Sequence, residues 1–263
     1  MINFTGCTVL ITGASSGIGA ELAVQLAPHA KSLILVARRI ERLEEFKNRI
    51  DRPGLAIHCL SADLADEASI SELLKKIAAT GETINFLINN AGLGDHGLFE
   101  ASDWSRIKAM LDVNITALTR LTHALLPGLI RRGNGAILNV SSIASLMPVP
   151  KLSVYAATKA YVTGFSEGLR AELRGTGVSV TTLCPGPVDT EFFAIAERGD
   201  PDETIHTPEF FKVPVGQVAR EALQAVQRDR ARIIPGWLVA VVMTLATLVP
   251  LFVLRRFLPG RDR

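Results

Sequence analysis

The stretch Thr8-Val9-Leu10-Ile11-Thr12-Gly13-Ala14-Ser15-Ser16-Gly17-Ile18-Gly19 decides how this chain is read. An apolar run of strand length, Thr8–Thr12, breaks into a turn with glycines at 13, 17 and 19, and a helical pattern opens at Gly17. Glycine lets such a turn run tight and lets another backbone come close. The helix behind it aims unpaired N–H groups and a positive dipole end at whatever lies in front, which favours a pyrophosphate held over Gly13, Ser15, Ser16, Gly17, Ile18 and Gly19. Taken alone, the same residues could simply close a strand-to-helix loop.

The rest of the chain repeats this alternation. Thr8–Thr12, Ser32–Ala37, Ala56–Leu60, Phe86–Asn90, Ala136–Ser141, Val178–Leu183 and Arg232–Ile234 are short runs rich in Val, Ile and Leu, as parallel strands covered on both faces require. Helical spacing fills roughly Gly17–Pro28, Ile40–Arg49, Glu67–Ala79, Trp104–Arg132, Ser153–Arg174 and Val215–Arg228. Arg52-Pro53-Gly54, Gly133-Asn134-Gly135 and Gly175-Thr176-Gly177 punctuate it. The pattern predicts an α/β fold: a doubly wound, mostly parallel, seven-stranded Rossmann-like sheet, with ligands outside the carboxyl ends of its strands. It divides the 263 residues into one domain, 1–235, and an apolar C-terminal helical extension with a basic end, 236–263.

Composition narrows the function. The chain is 48% hydrophobic with a mean hydropathy of +0.28, and much of the excess follows Arg232. A net charge of +2 without a basic stripe argues against a nucleic-acid partner. Cys7, Cys59 and Cys184 lie in or beside apolar runs and read as buried, reduced thiols in a cytoplasmic protein. The five histidines show no ligand-like spacing, so no metal is expected. Met1–Cys7 has no secretory-signal pattern.

Candidate chemistry falls at the strand ends. Arg38 and Arg39 follow the second strand, where a guanidinium can grip a 2′-phosphate, although both could be solvated residues starting a helix. Asp63 ends the third strand, beside Leu64, and could equally cap the helix near Asp66. Tyr155 and Lys159 stand four apart on a helix, about 5–6 Å at Cβ. A nearby cation favours ionisation of a phenol whose ordinary pKa is about 10. Such pairs are also common on solvated helices. Ser142, thirteen residues before Tyr155, ends a strand next to Ser141, and Asn114 sits in a predicted helix where its amide competes with the backbone.

In their order, these motifs resemble the short-chain dehydrogenases/reductases over about residues 5–235. TGxxxGxG is Thr12–Gly19, NNAG is Asn89–Gly92, the tyrosine and lysine are Tyr155 and Lys159, and PGxxxT is Pro185–Thr190. The resemblance implies Tyr155 as acid/base, Lys159 as its electrostatic partner, Ser142 as binder of the reacting oxygen and Asn114 as part of a proton relay. It implies cofactor contacts from the glycine turn, Asp63, Leu64, Asn90, Ala91, Gly92, Tyr155, Lys159, Pro185, Gly186, Val188 and Thr190. With Arg38 and Arg39 the cofactor expected is NADP, and the reaction is hydride transfer to a carbonyl or from an alcohol. An NAD-linked dehydrogenase and a non-catalytic NADP(H) sensor are the rivals. A homo-oligomer is expected from the family alone.

The implied substrate loop, Glu191 to Val213, holds Phe192, Phe193, Ile195, Phe210 and Phe211, which suit a hydrophobic small molecule or simply pack the lobe. Asp95 and His96 could reach a substrate, but read first as an ordinary surface loop. From Ile233 to Leu254 there are 22 uncharged residues, interrupted by Pro235, Gly236 and Pro250. Arg228, Arg230 and Arg232 precede them, and Arg255, Arg256, Arg261 and Arg263 follow. Basic residues on both flanks favour peripheral membrane contact through 233–257 over subunit or pocket packing, and both over a true span.

Overall fold

The computed structural model describes residues 3–197 and 211–257. Its strands are β1 (Thr8–Thr12), β2 (Ser32–Ala37), β3 (Ala56–Ser61), β4 (Phe86–Asn89), β5 (Gly135–Val140), β6 (Val178–Leu183) and β7 (Arg232–Ile233). They form one seven-stranded sheet in the order β3-β2-β1-β4-β5-β6-β7, and every neighbouring pair is parallel. The sheet is therefore wholly rather than mostly parallel. The helices are α1 (Gly17–Leu26), α2 (Ile40–Ile50), α3 (Glu67–Ala79), α4 (Trp104–Leu111), α5 (Leu118–Arg132), α6 (Ser153–Glu172), α7 (Glu191–Ala196), α8 (Val215–Gln227), α9 (Trp237–Leu248) and α10 (Leu251–Phe257).

Two apolar layers sandwich the sheet, and β1 shows how. Val9 and Ile11 join Leu22 and Leu26 of α1, Leu43 and Phe46 of α2, Val218 and Leu223 of α8 and Val239 and Met243 of α9. Leu10, pointing the other way, joins Ile70 and Leu73 of α3, Leu121 of α5 and Leu169 of α6. Because both faces are covered, β1, β4 and β5 are buried along their whole length. The chain leaves β1 for β2 and β3, then returns to β4 on the other side of β1. Strand order reverses between β1 and β4, so the carboxyl ends there splay into the crevice that a doubly wound sheet offers a ligand.

Three elements depart from the sequence pattern. The helix expected over Trp104–Arg132 is interrupted by a π-helical turn, Asp112–Ala117. Val113, Ile115 and Thr116 crowd an α-helix there, and Asn114 holds the backbone of Leu93 through both its amide nitrogen and its carbonyl oxygen. Within the expected substrate loop, Thr190 caps the short helix α7 by accepting a hydrogen bond from the Phe192 amide. The uncharged tail makes two helices, because Pro250 cannot continue the first. Among the described residues no helix is long and apolar enough to cross a membrane. Phe210, Arg261 and Arg263 lie outside the described residues. All three cysteines are free, with Cys7 and Cys184 buried but Cys59 only half-buried, because β3 is the edge strand.

Candidate active site

The glycine turn after β1 is built around close approaches. Gly13 and Gly17 have φ of +66° and +55°, and a Cβ on Gly13 would come within 2.8 Å of Asn90 Nδ2. On Gly19 it would sit 2.3 Å from the Gly13 carbonyl oxygen, beneath the turn. Ser16 begins α1 with extended backbone, its side chain makes no cap hydrogen bond and the first helical turn has no acid. The α1 amides are therefore left for an anion.

Thr12 fastens this turn to the end of β4. Its hydroxyl oxygen accepts hydrogen bonds from the amides of Asn90 and Ala91, both at 3.0 Å. The Asn90 side-chain nitrogen donates in return to the Thr12 and Gly13 carbonyls at 2.9 and 3.1 Å. One face of a cleft of about 420 Å³ is made this way, with Ala91 and Gly92 continuing the wall.

Arg38 and Arg39 stand exposed on the rim of the same cleft. Glu191 opposes them from α7: Arg42 Nη1 approaches its carboxylate at 2.8 Å and Arg39 Nη2 at 3.6 Å. Hydrogen bonding from Arg42 holds that carboxyl below its ordinary range. The helix cap in question belongs to Asp66, whose carboxylate accepts from the Ala68 and Ser69 amides. Asp63 instead closes a turn on the Ala65 amide at 3.0 Å and lines the cleft beside Leu64.

At the other end, α6 presents Tyr155 and Lys159, both buried. The Lys159 ammonium donates to the Val140 carbonyl at the end of β5, at 2.9 Å, and lies 5.8 Å from the centre of the Tyr155 ring. Burial pushes the lysine down to about 8. Burial pushes the phenol up to about 12, against the opposing effect of a hydrogen bond with Ser142. The two serines at the end of β5 divide their work. Ser141 bonds the Lys159 carbonyl at 2.8 Å and the Thr163 hydroxyl at 2.7 Å, inside the protein, whereas Ser142 reaches the phenol in the cleft.

Asn114 lies one layer behind. Its amide nitrogen donates to the Leu93 carbonyl at 2.9 Å and to the Thr158 hydroxyl at 3.0 Å, and its carbonyl oxygen accepts from the Leu93 amide at 2.8 Å. A Cβ on Gly92 would touch both Lys159 Nζ and Asn114 Oδ1, so the asparagine closes the space behind the lysine without lining the cleft. Of the catalytic and cofactor-contact residues selected from the sequence, only Asn114 and Gly19 stand off the cleft wall; Pro185, Gly186, Val188 and Thr190 are on it, whereas Phe211 of the expected substrate loop packs on the core instead.

The fastening of α7 has no signal in the local sequence pattern. The Phe192 ring lies 5.5 Å from that of Tyr155, and Phe193 and Ile195 also line the cleft. Asp95 is buried, not part of an ordinary surface loop, because Arg106 pairs with its carboxylate at 3.0 Å and with the Ile195 carbonyl of α7. The His96 amide donates to the Ala196 carbonyl at 3.0 Å. Met243 of α9 completes the wall.

The family model for short chain dehydrogenases matches residues 7–200. The chain is 41% identical to sulfoacetaldehyde reductase from Chromohalobacter salexigens over 203 residues, 74% of this chain and 78% of the relative. It is 38% identical to the NADP-dependent 3-hydroxy acid dehydrogenase of Escherichia coli K12, over 73% of this chain and 77% of the relative. Among solved structures, a short-chain dehydrogenase from Sphingobium yanoikuyae in complex with NADPH is similar at 33% identity and a TM-score of 0.79, covering 98% of each chain.

Replacing Thr12 by Val removes the acceptor of two amides in a buried setting, which costs about 1–3 kcal/mol. Urea unfolding will show that loss, together with weaker NADPH binding measured by fluorescence.

Proposed function

The chain belongs to the short-chain dehydrogenase family, and on that premise we propose that it is an NADP(H)-dependent oxidoreductase that interconverts a hydrophobic carbonyl compound and its alcohol. The observation that carries this reading is that one cleft holds both the glycine turn and the buried Tyr155, Lys159 and Ser142. The residues present fit the cofactor. The uncapped α1 amides suit its pyrophosphate. Arg38 and Arg39 suit a 2′-phosphate that a ribose hydroxyl could not replace. Asp63 and Leu64 would take the adenine side, and Asn90, Ala91, Gly92, Pro185, Gly186, Val188 and Thr190 the ribose and nicotinamide side. When bound, the cofactor supplies or accepts the hydride.

The protein's own contribution is orientation and a proton. A carbonyl oxygen seated between the Ser142 and Tyr155 hydroxyls receives two hydrogen bonds, which stabilise the negative charge that grows on it as hydride reaches the carbon. The phenol, kept protonated by burial, then gives that oxygen its proton, and the nearby Lys159 ammonium favours the phenolate left behind. Oxidation of an alcohol reverses each step. Asn114 acts behind Lys159 as part of the path by which the phenolate regains a proton.

The proposal assigns catalysis to 1–235 and leaves 236–263 as an apolar extension with a basic end, of which Met243 walls the cleft. It includes assembly as a homo-oligomer and cytoplasmic residence with peripheral membrane contact through 233–257. The three free thiols fit a reducing compartment.

Turnover of NADPH against a panel of apolar aldehydes and ketones is the direct test. Tyr155→Phe is expected to abolish it while leaving NADPH binding nearly unchanged; unchanged turnover would remove Tyr155 from the mechanism, and binding without turnover by the unaltered protein would favour a sensor. Changing Arg38 and Arg39 together to Ala is expected to lower the preference for NADPH over NADH by about 10- to 100-fold. An NADH-preferring unaltered protein would overturn the cofactor assignment.

A further inference from the structure

Helix α9 is apolar on both sides. Its inner side sends Val239 and Met243 into the core, where Met243 lines the cleft and Val239 stands 3.4 Å from the position of a Cβ on Gly186. Its outer side carries Trp237, Val241, Leu245 and Leu248, which fall on one helical stripe and are 78%, 49%, 60% and 74% exposed. Phe252 of α10, 73% exposed, continues the apolar surface. A contiguous patch of this kind marks a contact, and its flanking charges say with what.

Arg255 and Arg256 stand exposed at the far end, and no acidic residue occurs between Ile233 and Phe257. A two-fold contact between copies through this stripe would bring the arginines no carboxylate of α9 or α10, and Glu221, at the start of α9, is already held by the Gly236 amide at 3.2 Å and the Gln217 side chain at 2.7 Å. An anionic headgroup layer would complement them. The polar groups of α9 agree: Thr244 and Thr247 donate their hydroxyl hydrogens back to the Ala240 and Thr244 carbonyls, both at 2.7 Å, so neither needs water. At 12 residues and about 1.5 Å per residue, α9 extends roughly 18 Å, too short for the roughly 30 Å hydrocarbon core but long enough to lie along its surface.

We infer that the outer face of α9 and α10 docks on an anionic lipid bilayer and sets the α9 wall of the cleft against it, so that membrane-partitioned carbonyl compounds enter from the lipid. The substrate-entry part rests on the reductase reading above, and the docking rests on the membrane contact proposed there and makes it specific. Trp237 and Phe252 anchor at the interface, the aliphatic stripe enters the acyl boundary, and Arg255 and Arg256 meet the headgroups.

The test uses the full chain with vesicles of phosphatidylcholine alone or mixed with phosphatidylglycerol. Sedimentation with the anionic vesicles is expected, with a blue shift of Trp237 emission in a Trp104→Phe background. Arg255→Gln with Arg256→Gln is expected to weaken binding by about thirty-fold, and Leu245→Glu with Leu248→Glu to abolish it. The latter variant should still reduce a short, water-soluble aldehyde at the original rate but lose vesicle-stimulated reduction of a long-chain aldehyde. No vesicle binding, or equal binding to neutral vesicles, would overturn the inference. So would a Leu245→Glu/Leu248→Glu protein whose only change is a smaller oligomer by light scattering. Binding is read without turnover, so failure of the reductase reading would leave docking standing, and failure of docking would leave turnover in solution intact.

Discussion

The join between the ends of β1 and β4 is the constraint on which the rest depends. A doubly wound sheet opens where strand order reverses, and an opening between two strand ends is only a gap unless something fixes its edges. Here the Thr12 hydroxyl and the Asn90 side chain exchange hydrogen bonds with each other's backbone. That exchange sets the glycine turn, and with it the direction of the α1 amides. The sheet below supplies rigidity, because its central strands are buried on both faces.

From that edge the cleft runs toward a second fixed point, the end of β5. Ser141 and the Val140 carbonyl hold α6 by the Lys159 segment, and Asn114, on its π turn, ties α6 to the Leu93 backbone. The turn holds a buried amide at this depth, a use typical of π turns at functional sites. Burying an ammonium and a phenol side by side opposes the charge on each. The two are thereby separated: the phenol, raised to about 12, keeps the proton it donates in reduction, while the ammonium, lowered to about 8, holds its charge only up to mildly alkaline pH.

The sheet, the glycine turn and the tyrosine–lysine pair were legible because each is written locally: a run of apolar residues, a turn, or a four-residue spacing. What was not legible depends on partners far apart in sequence. Nothing near Asn114 announces its bonds to Leu93, 21 residues away, and its π turn has no signature in a 3.6-residue pattern. Glu191 meets Arg42 across 149 residues, which makes an acid a neighbour of the phosphate-side arginines although none precedes Glu41 in the second βα turn. Asp95 looked like a loop residue because its partner, Arg106, lies in the next helix. The tail was legible as apolar and basic, but the division of α9 into an inner wall and an outer stripe emerges only once Val239 and Met243 are seen in the core.

The most direct test of the central claim, that a buried ammonium beside a buried phenol drives the proton step, is the pH dependence of kcat/KM for carbonyl reduction. Lys159 is depressed to about 8 by burial and the phenol is raised to about 12, so as pH rises the lysine loses its proton while Tyr155 keeps its own. Activity should be full below the lysine value and fall through about pH 8, and Lys159→Arg, whose guanidinium stays charged, should be slower but lack that falling limb. A limb unmoved by Lys159→Arg, or a flat profile to pH 10 in the unaltered protein, would contradict the account.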